Sequence, residues 1–238
     1  VNWQTGEFYF ALSLASVAIA FAIYHFLNHD DRVRNWISDR AGEADAPVRV
    51  IVFQRLSGLI IMGLIPLAVA MATTGEGFSY FGLNFANLDQ VLFWTLCASV
   101  ILLPVGYFNA RRADNQAMYP QMRLSEWSYG LLLWSNFTWA LYLLGYEILF
   151  RGILFFPILD QYGLVVAISV NAAVYSLAHI PKGMKETLGA IPFGIIVCLA
   201  AWKTGNIWFP FLVHTLMALS NEWFSIFLNP SMHLKKSQ

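Results

Sequence analysis

The sequence predicts an all-α, polytopic membrane bundle of about seven transmembrane helices, and three observations carry that prediction. Of its 238 residues, 58% are hydrophobic and only 12% charged, whereas an ordinary soluble domain is about half apolar and roughly a quarter charged. The apolar residues gather into runs of about 20, the length a helix needs to cross the hydrocarbon core. The Lys and Arg residues between those runs are heavily biased to one side.

Seven stretches meet the length criterion, at about 8–27, 53–72, 91–108, 127–157, 162–180, 187–202 and 207–228. The fourth would make a helix of about 46 Å at 1.5 Å per residue, so it must tilt, protrude or break. On alternate connections lie Arg32, Arg34, Arg40, Arg49, Arg55, Arg111, Arg112, Arg123, Lys182, Lys185, Lys235 and Lys236, against Arg151 and Lys203 on the others. Cytoplasmic loops carry the excess. The N-terminus is therefore expected outside and the C-terminus in the cytoplasm of a bacterial inner membrane.

Trp127, Trp202, Trp208 and Trp223 stand near segment ends, where amphipathic rings rest at headgroup level. The Gly-rich, aromatic stretch TTGEGFSYFGLNFANLDQ after the second segment suits a short surface-lying helix as much as a loop. Residues 1–7 lack the basic region of a cleavable signal, so the first apolar stretch is expected to stay in the mature protein. With no internal repeat, linker or low-complexity tract, the reading is one domain, 1–238.

Formal net charge is zero, which removes the electrostatic footprint of a nucleic-acid binder. Cys97 and Cys198 each sit alone in an apolar run and read as small core residues. Membrane lipid is the surrounding partner.

Ionisable groups inside a bilayer are costly and usually face a bundle interior or a wet cavity. Three clusters stand out. In GYEILFRG, Glu147 and Arg151 are four apart and share a helix face, which makes a structural salt bridge on the bland reading. In VYSLAHIP, Tyr175 and His179 are again four apart, with Pro181 two residues on, and the bland reading is a hydrogen-bonded helix-end histidine. In WFPFLVHTLMALSNEWF, His214 lies one turn into the last segment and Asn221 seven residues further, near the same face. Three helices carrying such groups in apolar sequence is expensive unless the groups meet. A turn near residues 160–163 puts Glu147 and His179 roughly 21 and 26 Å from it, at similar depth.

One Glu and two His can hold zinc with an open position for water, or can work without metal by taking a proton from water while other donors hold an oxyanion. The HExxH spacing that sets two zinc ligands on one face is absent, and no cofactor is expected. Buried Glu, Arg and His would also suit a small-molecule transporter, but matching Gly/Pro-broken segments in two halves are missing.

These residues resemble the CAAX-processing and bacteriocin-processing (CPBP, Abi) intramembrane endopeptidases, the group that includes the Rce1-type prenyl-protein proteases. The family's Glu-Glu-x-x-x-Arg motif is met by YEILFRG, with Tyr146, Glu147 and Arg151; Phe-x-x-x-His by Tyr175 and His179; and His-x-x-x-Asn, after a phrase like TGSLWAPI, by KTGNIWFPFLVH and His214. The likeness covers about residues 120–225. It implies a peptidase without an obligatory metal, acting on a membrane-associated peptide or protein, such as a lipidated C-terminus. The first Glu and the motif-two His would activate water, and the motif-three His and Asn would hold the oxyanion.

Two positions depart from that pattern. Tyr146 replaces the first Glu, and Ala218 replaces the Asn four residues after His214. Tyrosine, with a reference pKa near 10, is a poor base at neutral pH, and alanine has no donor. Either Glu147 and Asn221 have taken over, with Arg151, His179 and His214 completing the site, or the chain is an inactive homologue serving as a membrane-complex subunit or protein-binding scaffold.

Overall fold

The computed structural model describes residues 5–43 and 45–235. Residues 1–4, on which part of the N-terminal reading falls, and Lys236 lie outside the described residues. The helices are α1 (Thr5–His29), α2 (Asp31–Ala41), α3 (Ala46–Thr74), α4 (Leu88–Ala110), α5 (Ala113–Met118), α6 (Tyr129–Tyr162), α7 (Leu164–Leu177), α8 (Met184–Thr204) and α9 (Trp208–Leu228). A two-residue strand, β1 (Glu126–Trp127), pairs in parallel with β2 (His233–Leu234).

Six of these helices, α1, α3, α4, α6, α8 and α9, are long and apolar enough to span a bilayer. The chain is an integral membrane protein. The fourth apolar stretch does not break: α6 runs for 34 residues, about 51 Å, so of the three alternatives it must tilt or protrude, and it carries a π-helical segment at Ile148–Phe155. The fifth is shorter than expected. α7 has 14 residues and covers only about 21 Å, because Gly163, at φ 81°, opens it and the chain tightens into a 3-10 turn at Ile180–Lys182 around Pro181. The stretch after α3 is a chain of turns rather than a surface helix.

Contacts between connections give the path of the chain. At one end of the bundle Tyr9 Oη donates to Glu76 at 3.3 Å, Tyr80 Oη to Asp160 at 3.2 Å, and Asn84 Nδ2 to the Gly205 carbonyl at 2.8 Å. At the other end Asp114 pairs with Lys185, Asn115 Nδ2 donates to Ser225 Oγ at 3.0 Å, and the Lys235 amide donates to the Trp127 carbonyl at 2.7 Å. The seven apolar helices therefore alternate in direction, α7 included, and the connections rich in Lys and Arg gather at one end.

Helix α6 is the axis of the assembly. Of its best apolar window 78% is buried, against 6% for α4, whose Leu92, Phe93, Leu96 and Val100 are exposed; in a bilayer such side chains face lipid. Small residues let α3 meet α6 backbone to backbone. A Cβ on Gly63 would stand 2.7 Å from Gly145 Cα, and one on Gly145 would stand 2.7 Å from Leu59 Cα. A second π-helical segment, Leu59–Leu64, lies at this crossing.

Candidate active site

The π-helical segment of α6 begins immediately after Glu147 and contains Arg151. Wide turns of this kind recur at functional sites because they re-aim side chains and loosen the backbone ladder. Here the ladder is supported from α7: Asn171, fully buried, donates Nδ2–H to the Phe150 carbonyl at 2.5 Å and accepts from Cys198 Sγ of α8 at 3.2 Å.

Glu147 and Arg151 are both fully buried and form the ion pair expected from their spacing, with Arg151 Nη1 3.1 Å from Glu147 Oε2. The guanidinium also stands over the Tyr175 ring, 4.4 Å from its centroid, a cation–π contact that strengthens when desolvated. The other oxygen of Glu147 reaches α9: His214 Nδ1 is 2.8 Å from Glu147 Oε1. With a guanidinium against the carboxylate, Glu147 is the acceptor and His214 Nδ1 the donor, which leaves His214 Nε2 free.

His179, just beyond the end of α7, is buried, and its Nδ1 lies 2.8 Å from the Tyr175 carbonyl. A carbonyl only accepts, so Nδ1 carries the hydrogen and Nε2 is again the uncommitted nitrogen. Tyr146 packs against both imidazoles. Its ring centroid is 6.1 Å from that of His179 and 5.7 Å from that of His214, edge-on to both, and it packs at 4.5 Å, tilted by 32°, against Phe150. Phe193 of α8 closes the far side of His214 at 5.9 Å.

Three helices thus bring Glu147, Arg151, Tyr146, Tyr175, His179 and His214 together. Asn221 is not part of this contact: seven residues beyond His214 it is about 10 Å further along α9, and its buried Oδ1 has no hydrogen-bond partner among the described residues. Ala218 lies between them, half-buried. Among the described residues no three His, Cys, Asp or Glu side chains converge as a metal site.

Residues 125–220 match the family model described as type II CAAX prenyl endopeptidase Rce1-like. This stretch is similar to the Rce1-like family. The match covers somewhat under half of the chain, and it takes in Tyr146, Glu147, Arg151, Tyr175, His179, His214 and Ala218. No curated protein and no solved structure matches the chain. The structure gives the phrase TGNIW a mechanical role: Gly205, at φ 69°, ends α8, and the buried Asn206 holds the loop between α3 and α4 through the Ala86 carbonyl at 2.7 Å while accepting from the Trp208 amide at 3.1 Å. That aims α9, and with it His214, at Glu147.

Sequence reading missed two buried polar elements. Asn171 is a lone amide in LVVAISVNAAVYSL, and its signal was its placement four residues before Tyr175. The other is an ion pair between Arg55 of α3 and Glu222 of α9, 3.3 Å apart. Glu222 falls in the phrase SNEWF near the end of the last apolar run, and only its depth sets it apart from an interfacial carboxylate.

Proposed function

We propose that this protein is a CPBP-type intramembrane endopeptidase that hydrolyses a peptide bond in a membrane-associated or lipidated peptide, with the Glu147–His214 pair taking up the role vacated at Tyr146. The observation that carries this is the 2.8 Å contact between His214 Nδ1 and Glu147 Oε1. A carboxylate that accepts from one imidazole nitrogen fixes the tautomer and stabilises positive charge as the other nitrogen takes a proton, the logic of an acid–histidine pair in hydrolases. His214 Nε2 then draws a proton from water, the hydroxide attacks the scissile carbonyl carbon, and the C–N bond breaks as the leaving amine is protonated. His179 Nε2 is the second proton carrier, and Arg151 holds the carboxylate in place. The buried setting raises the weight of each charge–dipole interaction.

Purified protein in lipid, offered a panel of membrane-embedded and prenylated peptides, tests the reading. Cleavage that stops on His214→Ala and on His179→Ala with the fold retained supports it. No cleavage of any panel member, or stoichiometric zinc bound by the two histidines, counts against the metal-free mechanism.

A second reading has its own observation. The Tyr146 ring packs edge-on against both imidazoles and presents no carboxylate to them. On this reading the protein is an inactive homologue that binds a partner as a membrane-complex subunit or scaffold.

A further inference from the structure

Arg55 and Glu222 both lie outside the Rce1-like stretch, and together they build a buried polar cluster that joins α3, α6 and α9. Arg55 Nη1 donates to the Ser135 carbonyl at 2.8 Å, to Ser135 Oγ at 2.9 Å and to Thr138 Oγ1 at 3.3 Å. Its Nη2 and Nε donate to Gln121 Oε1 at 3.0 and 3.3 Å, and Nη2 pairs with Glu222 Oε1 at 3.3 Å. Ser135 Oγ in turn donates to Glu222 Oε2 at 2.9 Å. The guanidinium also lies over the Trp139 ring, 4.6 Å from its centroid. Arg55, Ser135, Thr138 and Glu222 are all buried.

We infer that this Arg55–Ser135–Glu222 cluster is a register lock that sets α9 against α6 and so positions His214 on Glu147. The physical reason begins with what a buried ion pair does poorly. Desolvating two charges offsets most or all of their attraction, so such a pair adds little net stability, and its best-attested use is to select one packing register over its neighbours. The geometry suits that use. Ser135 and Glu147 share α6, twelve residues apart, and Glu222 and His214 share α9, eight residues apart. The two polar ties therefore join the same pair of helices, about 18 Å apart along α6 and about 12 Å along α9, and neither can slide without the other. A slip of one residue, about 1.5 Å of rise, exceeds what a 2.8 Å hydrogen bond tolerates before it is lost. Arg55 adds α3, and through Gln121 the loop before α6, so three helices are locked at one point by a fork whose donors have fixed directions. Arg55, Ser135 and Glu222 are positioning residues, remote from the reacting atoms.

The register claim stands on the geometry alone, while its consequence for rate rests on the peptidase reading. The test replaces both charges together, Arg55→Met with Glu222→Met, so that no lone ion is left in the bundle, and Ser135 Oγ can turn back to its own helix. The readout is the Nδ1–H resonance of His214 in ¹⁵N-histidine-labelled protein in lipid, identified by its loss in His214→Gln. The double variant is expected to unfold within a few degrees of the native protein, yet to show a broadened or split His214 resonance. In a cleaving protein kcat should fall on the order of a hundredfold with KM little changed, the usual consequence of misplacing a catalytic group by about 1 Å. Ser57→Ala, which removes a buried hydrogen bond between α1 and α3, should leave the resonance unmoved. Arg55→Lys keeps the charge without the fork; it provides the same comparison should the double variant fail to fold, and is expected to broaden the resonance. A single, unshifted His214 resonance in a folded variant overturns the inference. If the native chain cleaves nothing, the resonance still decides the register lock and only the peptidase reading fails.

Discussion

His214 Nδ1 and Glu147 Oε1 are 2.8 Å apart across 67 residues of chain, joining α9 to α6 in the middle of the bundle. Glu147 therefore has a cation on one side and an imidazole on the other; Glu147 and Arg151 are fully buried, while the His214 side chain keeps 15% of its surface exposed. That arrangement makes the residues interdependent.

Interdependence predicts non-additive stability. Glu147→Leu strands the Arg151 guanidinium and Arg151→Met strands the Glu147 carboxylate, and an uncompensated buried charge costs about 3–5 kcal/mol. The double change strands neither and should cost less than either single change. Reversible unfolding in bicelles measures all three. If the double change costs the sum of the single changes, the pair is not coupled as described.

Much of this was legible in the sequence, and what was not has physical causes. The apolar runs marked the spans because the bilayer imposes their length, and the i,i+4 spacings of Glu147 with Arg151 and Tyr175 with His179 put each pair on a shared helix face. Extent was harder. Of the tilt, protrusion or break that the length of the fourth stretch required, the continuous α6 removes only the break, and periodicity could not see the π-helical segment at Ile148–Phe155 inside it. The spacing along α9 was legible: Asn221, on the right face by angle, stands one turn beyond Ala218 and two beyond His214. The long-range tie between Arg55 and Glu222 joins residues 167 apart, and no local pattern encodes such a contact.

Close approach of α3 and α6 gives a second prediction. Gly63→Ala and Gly145→Ala each place a Cβ 2.7 Å from a backbone carbon, which cannot rotate aside, and overpacking of this sort costs about 1–3 kcal/mol. Gly189, inside α8, has nothing within 4 Å of a Cβ. Gly189→Ala should stabilise the helix by up to about 1 kcal/mol. Thermal unfolding of the three variants should therefore move in opposite directions, and a destabilising Gly189→Ala would contradict the packing.

Topology yields a third. Asp114 and Lys185 pair at one end of the bundle and Asp160 lies at the other, and the orientation proposed from the excess of Lys and Arg puts the first end in the cytoplasm. In a background with Cys97 and Cys198 changed to Ala, Asp114→Cys and Lys185→Cys should react with an impermeant thiol reagent only in inverted vesicles. Asp160→Cys should react only in right-side-out ones. Labelling of the first two from opposite faces would break the alternation of the seven helices, whereas a uniform reversal would overturn only the orientation.

The sharpest prediction separates the two functional readings, and it turns on what Tyr146 and Ala218 lack. In the family pattern the first position supplies a carboxylate and the second an amide, and here a ring packs against both imidazoles while a methyl group stands one turn beyond His214. General-base catalysis is worth about 10²–10⁴ in rate, and one oxyanion donor about 10²–10³. If the protein is inactive because both are missing, Tyr146→Glu with Ala218→Asn should raise cleavage of a prenylated peptide from nothing to a measurable rate, and Tyr146→Phe should change nothing. The gain comes against a structural loss, since removing a buried aromatic ring costs about 3–5 kcal/mol, so the assay must be run well below the unfolding temperature of the variant. If the Glu147–His214 pair already serves as the base, the native chain should cleave, and Glu147→Gln should abolish cleavage: the amide offers His214 a neutral partner and the wrong tautomer, a change that costs about 10⁴ in a comparable hydrolytic site. Native cleavage lost on Glu147→Gln, in protein shown to be folded, rules out the inactive reading; a silent native chain awakened by the double change rules out the Glu147–His214 base.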